Sequence, residues 1–411
     1  MAKARPDAGS SRSSRYYKRV RHLAVTVGFA TLVAVTASLS AFPSANSRLS
    51  TPAALPLRHA WTIEQTGTPP VALAASAGGW LVAGFDDSLR VFATDTGDVL
   101  GTLPLPASQL ACDAANCVVG NNQAVRSINL SRRVVRWQRQ VPTSLAFAPV
   151  LRSGWVFLAS TDGRVVALRD VDGAEVWSAS AGASLTGPPS VDGDRLVVAT
   201  TDNRVVMLDV LTGRVLWTYA TDARPLIPRL GGGLVLIGTT ARDLWWIDAL
   251  TGRPKFAQRT GGTVIGAPAL DDELVYAVSQ DGVLRAFDRG NGAQRWYANL
   301  PTRPEAGPLT DGAMILVSLH DGRIFGYLPS NAGQRSAVQV SPQGEGDGAK
   351  RLPVAPLIAG AGAQLTLLSV VTNVADTSKW WASLTRGGAA VPLSAMPSQI
   401  PGLRLTLTAP R

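Results

Sequence analysis

Cysteines, histidines and turn aspartates are the first residues to weigh for chemistry in this chain. Cys112 and Cys117 bracket Asp-Ala-Ala-Asn. If that stretch is a hairpin turn, the two face each other at about 4.5–5.5 Å between Cα atoms, which suits a disulfide in an oxidising compartment. Two free thiols are the alternative reading. No histidine or third cysteine lies near them to make a metal site. The three histidines, His22, His59 and His320, are scattered, and His320 precedes the turn pair Asp321-Gly322. Asp162, Asp192, Asp202, Asp271, Asp281, Asp311 and Asp321 fall at turn positions, where a short carboxylate bonds its own backbone. No Ser-His-Asp set and no glycine-rich phosphate loop can be picked out. The expectation is therefore no catalytic, no cofactor-binding and no metal-binding residue, and no cofactor.

The elements that would have to position any site come from a repeat. Asp162-Gly163-Arg-Val-Val-Ala-Leu-Arg-Asp170-Val-Asp-Gly173-Ala-Glu-Val-Trp177 returns as Asp202-Asn203-Arg-Val-Val-Met-Leu-Asp209-Val-Leu-Thr212-Gly213-Arg-Val-Leu-Trp217, displaced by 40 residues. It returns again from Asp281 through Gly292 to Trp296, and more weakly through Gly252 to Phe256 and through Leu130 to Trp137. Each unit splits into four short β-branched runs separated by Gly-, Asp- and Asn-containing turns. Four strands in about 40 residues predict the blade of a β-propeller, whose faces are covered by its neighbours. In this reading the terminal aromatic (Trp137, Trp177, Trp217, Phe256, Trp296) packs on the next blade. The turn glycine (Gly173, Gly213, Gly252, Gly292) lets the backbones approach.

Eight such units can be marked, at 71–103, 108–141, 147–179, 186–219, 226–257, 264–299, 306–340 and 354–384. The last is degenerate around Trp380-Trp381, so seven blades with an appendage is the fallback. His59-Ala-Trp61-Thr62 has the form of a fourth strand and would complete the last blade. The alternating run Gly402 to Thr408 competes for that place. Residues 341–353 and 387–400 are expected as surface loops.

The frame Asp-x-x-Thr-Gly-x-x-x-Trp, as in Asp209 to Trp217, resembles the repeat of PQQ-type (quinoprotein-like) β-propellers over residues 57–390. The resemblance implies an all-β, eight-bladed propeller of four-stranded blades. That family contains quinone- and calcium-dependent dehydrogenases, which carry an adjacent Cys-Cys pair over the cofactor, and a non-enzymatic BamB-like branch. This chain has no adjacent cysteines, so the resemblance points to the second.

The N-terminus is a separate problem. Residues 1–22 carry seven basic residues and one acid, so they supply +6 of the formal +10. The propeller itself is close to balanced, and nucleic-acid binding is not expected of it. Residues 23–42, from Leu23 to Phe42, are uncharged and long enough to span a bilayer as a helix, with the basic flank kept in the cytoplasm. A cleaved signal peptide and an uncleaved signal anchor both fit. No cysteine follows the run, so a lipoprotein route is not expected. Residues 43–56 form a linker by composition, and residues 57–411 the propeller. The expected localisation is extracytoplasmic, membrane-anchored or secreted. The expected function is a protein-interaction scaffold meeting envelope proteins through loops of one propeller face. A PQQ/calcium oxidoreductase and a ligand-binding sensor are the alternatives.

Overall fold

The computed structural model describes residues 57–66 and, apart from short gaps, 70–342. Beyond these it describes the strands at 349–350, 357–359, 366–373, 379–387 and 403–408. Residues 1–56, with the basic leader, the apolar run and the linker, lie outside the described residues. So do Asp311, Asp321 and residues 388–402. The described residues hold strands and turns and no helix long and apolar enough to cross a membrane.

The strands form eight antiparallel sheets, six of four strands and two of five. The fourth is representative: Ser190–Asp192, Arg195–Thr200, Arg204–Asp209 and Val215–Ala220 follow one another from inside to outside. Apart from the half-buried Arg195, Arg204 and Asp209 at their ends, its second and third strands are buried on both faces, because each face meets a neighbouring blade. Its outer strand alternates between exposed and half-buried residues. The innermost strands touch from the first blade through the fifth and between the sixth and seventh, and Ala72–Ser76 of the first blade meets Leu357–Ala359 of the eighth. The sheets thus close into a ring. The hydrophobic core is a set of inter-blade layers.

The eighth sheet joins the two ends of the ring. Leu57–Thr66 pairs with Lys379–Gly387, with Trp61 opposite Leu384. The rival strand, Leu403–Thr408, pairs instead with Gln334–Pro342 and becomes a fifth, outermost strand of the seventh sheet. The segment expected as a loop from 341 to 353 begins as the end of that long strand, and Ala349–Lys350 pairs with the eighth sheet. Long, weakly patterned strands broke the 40-residue rhythm here.

One irregularity recurs. In each of the first seven blades the register between third and outer strands slips by one residue at the same place, for example between Met207 and Leu208. A bulge of this kind adds twist and re-aims side chains. Here it turns Trp177 and Trp217 toward the next blade and leaves the residue before each, Val176 and Leu216, facing outward. The turns between first and second strands and between third and outer strands lie on one face of the ring, called lower below. The turns between second and third strands and the inter-blade connections lie on the upper face.

Candidate functional site: the docking turns and the two faces

The lower-face turn is built by its carboxylate. Asp209 accepts from the backbone N–H of Leu211 and Thr212, at 3.1 and 2.8 Å, and from the Thr212 hydroxyl at 2.7 Å. Asp248 repeats this with Leu250 and Thr251. Asp288 accepts from the N–H groups of Gly290 and Asn291. Asn129 fills the same place in the second blade, accepting from the Arg132 N–H at 2.9 Å. These bonds hold the charged form. The Thr212 hydroxyl, the largest influence, pulls Asp209 below the usual carboxylate range, and the Thr251 N–H does the same for Asp248. A carboxylate whose pKa falls on folding stabilises the fold above its unfolded value, and that contribution is lost as pH falls through the folded one. We expect Asp209→Asn, which keeps the acceptor as Asn129 does, to flatten the acid limb of stability below about pH 5. Urea midpoints measured across that range check this.

The turn glycine then meets the preceding blade. Gly213 has φ +68°, and a Cβ placed on it would lie 2.5 Å from the Trp177 ring. Gly173 and Gly252 stand in the same relation to Trp137 and Trp217, at 2.6 Å, and Gly292 abuts the Phe256 ring. Each indole N–H donates to a carbonyl of the turn it covers: Trp137 to Asp170 (2.7 Å), Trp177 to Val210 (2.7 Å), Trp217 to Ala249 (3.0 Å) and Trp296 to Pro329 (2.6 Å). Trp137 and Trp177 are buried, while Trp217 and Trp296 are half-buried.

Two variations escaped the sequence reading. Between the first and second blades the lock is inverted: Gly101 stands at the Trp position and Arg133, at φ +56°, at the glycine position. The Arg133 side chain lies over Gly101. In the fifth blade the indole has moved one strand inward. Trp246 is fully buried and packs against Phe256 at 5.1 Å between ring centroids. Its ring N–H has no partner among the described residues. The signal for both was the missing Trp in an otherwise regular frame.

Cys112 and Cys117 face each other across the first hairpin of the second blade and are bonded. Closing so short a loop constrains the unfolded chain little, so Cys112→Ser with Cys117→Ser should cost about 2 kcal/mol in non-reducing urea titrations.

The upper-face acids are also engaged locally. Asp202 accepts from Arg204 and from the Thr200 hydroxyl, and Arg204 above all lowers its pKa. At Asp281 burial opposes ionisation, but the bonds from Arg285 and Ser279 outweigh it and the pKa falls. Asp162 accepts from the Arg164 N–H. On the lower face, Asp271 accepts from two backbone N–H groups and from Tyr276, whose hydroxyl is pushed far up by burial and that carboxylate. His320 Nδ1 lies 3.0 Å from Glu305 at the exposed rim. Among the described residues no group of three or more His, Cys, Asp or Glu is placed to hold a metal.

The lower rim also exposes aliphatic side chains that the sequence reading did not single out. Val171, Leu211 and Leu250 occupy the same turn apex in the third, fourth and fifth blades and are 68%, 61% and 69% exposed. The repeat alignment was the available signal, since it places these three aliphatic residues at one position of the turn.

Comparison with known proteins is consistent with this geometry. The family model described as outer membrane protein assembly factor BamB matches residues 121–230 and 221–375. The BamB of Nitrosomonas eutropha is 24% identical over 195 residues, which is 47% of this chain and 37% of that protein. The match thus spans well under half of that relative's length. Among solved structures, BamB from Moraxella catarrhalis superposes with a TM-score of 0.59 at 17% identity, covering 80% of this chain and 99% of that one. The computationally designed Ika8 protein gives 0.65 at 15% identity, covering 79% and 99%. Sqt1 of Saccharomyces cerevisiae gives 0.65 at 12%, covering 82% and 100%. At these identities the structural likenesses speak for the propeller fold alone. The family match covers more than half of the chain and runs through the very turns that lock the blades, and the chain belongs to the PQQ-type β-propeller family described as outer membrane protein assembly factor BamB.

Proposed function

We propose that this protein is a non-enzymatic scaffold acting outside the cytoplasm, where its propeller holds other proteins during envelope assembly. The observation that carries the reading is the use made of the carboxylates. Asp202, Asp209, Asp248, Asp271, Asp281 and Asp288 are all spent on bonds inside their own turns. Those so shifted are held ionised at low pKa, unlike a general base poised near neutrality. What remains is a rigid ring that presents loops, and such a ring suits protein recognition. Family membership supports the assembly role, and the apolar run at residues 23–42 supports the location. The test is affinity isolation of the full chain from solubilised envelopes. A stoichiometric protein partner is expected. Saturable binding of PQQ with calcium, coupled to dye reduction by an alcohol or sugar, would instead make the protein an oxidoreductase.

A further inference from the structure

We propose that the lower face of the propeller rests on a lipid surface, with the turn apexes of the third to fifth blades dipping into the headgroup layer. The proposal rests on the extracytoplasmic reading above, with residues 23–42 taken as an uncleaved anchor rather than a cleaved signal peptide.

The first observation is the chemistry of the rim. The lower-face turn is held by its capping side chain and its positive-φ residue, as by Asp209 and Gly213, and its apex side chain is exposed. Ser131, Gly290 and Ser330 stand there in the second, sixth and seventh blades. Val171, Leu211 and Leu250 stand there in three consecutive blades, each more than 60% exposed. The bulged residues Val176 and Leu216, 44% and 36% exposed, belong to the outer strands that dock on the next two apex turns. These exposed aliphatic side chains thus fall in neighbouring blades, and exposed apolar patches mark contact surfaces. Arg214 and Arg253 follow the fourth and fifth apexes, Arg214 acting electrostatically on Asp209, while Asp170 and Asp172 flank the third. Aliphatic tips beside guanidinium groups suit the boundary between acyl chains and phosphates.

The second observation selects lipid as the occupant. Leu57 pairs with Gly387, at the end of a strand that runs toward the lower face, and Leu57–Thr66 then climbs to the upper one. The chain therefore enters the propeller from below. Only 14 residues, 43–56, separate Leu57 from the apolar run at 23–42. A linker of that length reaches at most about 50 Å and spans about 20 Å on average if flexible. A tether attached at the lower end makes even weak contacts of that face with a bilayer effectively intramolecular.

The test uses the full chain in vesicles of phosphatidylethanolamine and phosphatidylglycerol. An environment-sensitive fluorophore is placed on Leu211→Cys or, on the upper face, on Thr161→Cys; among the described residues no free cysteine competes for the label. The Leu211 probe should brighten several-fold, shift to the blue and be quenched by nitroxide-bearing lipid. The Thr161 probe should do none of these. Adding Val171→Glu and Leu250→Glu, exposed changes that leave the fold intact, should return the Leu211 probe to its aqueous spectrum. A protein that floats with the vesicles while both probes stay aqueous overturns lipid docking and leaves the tether standing. A protein that does not float overturns both. If the Leu211 probe is shielded only when other envelope proteins are added, the face binds protein and the proposal fails.

Discussion

Trp177→Ala is expected to lower the stability of the propeller by about 3–5 kcal/mol, the cost of emptying a buried aromatic site. The indole fills the gap between the third and fourth blades, covers Gly213 and donates to the Val210 carbonyl. Gly213→Ala should fail for two separable reasons. A left-handed backbone costs an L-residue roughly 1–2 kcal/mol, and the new methyl would meet the indole at 2.5 Å. In a Trp177→Ala background only the first cost remains, so the double variant should be less unstable than the sum, with a coupling of roughly 1–3 kcal/mol. Denaturant titrations of the four proteins check this. Strict additivity would mean that Trp177 and Gly213 do not form a lock.

The other large effect concerns ring closure. A chain starting at residue 67 loses the strand that pairs with Lys379–Gly387, which leaves the eighth sheet with a bare edge and the first blade joined to the last only through inner strands. It is expected to be unfolded or aggregated. A chain starting at residue 57 should keep the unfolding midpoint of the full propeller. Removing Leu403–Thr408 should cost far less, since Gln334–Pro342 still pairs with Arg323–Tyr327. Thermal unfolding of the three truncations ranks them.

The fold was legible in the sequence wherever the period held. Asp209, Gly213 and Trp217 recur at fixed distances because the turn, the close approach and the inter-blade gap are the same physical problem each time. The same logic made the inverted pair Gly101 and Arg133 hard to see: the gap is filled equally well from either side, and a frame search looks on one side only. The C-terminal part was harder for another reason. Strands such as Gln334–Pro342 and Leu403–Thr408 carry no turn signature, and strand alternation says which residues are inward but not which sheet edge they join. The rim apexes were invisible for want of any folding constraint. Nothing in the blade requires Leu211 to be leucine, so the folding rules that made the turn legible say nothing of this position.

The claim that the propeller is a protein-holding scaffold outside the cytoplasm is tested most directly by photo-crosslinking in living cells, with the probe at upper-face positions such as Arg224 and Ser184. The account predicts discrete higher-mass adducts between this chain and envelope proteins, formed by probes that reagents confined to the outside of the cytoplasmic membrane can reach. Absence of adducts from every upper-face position, or probes reachable only from the cytoplasm, would contradict it.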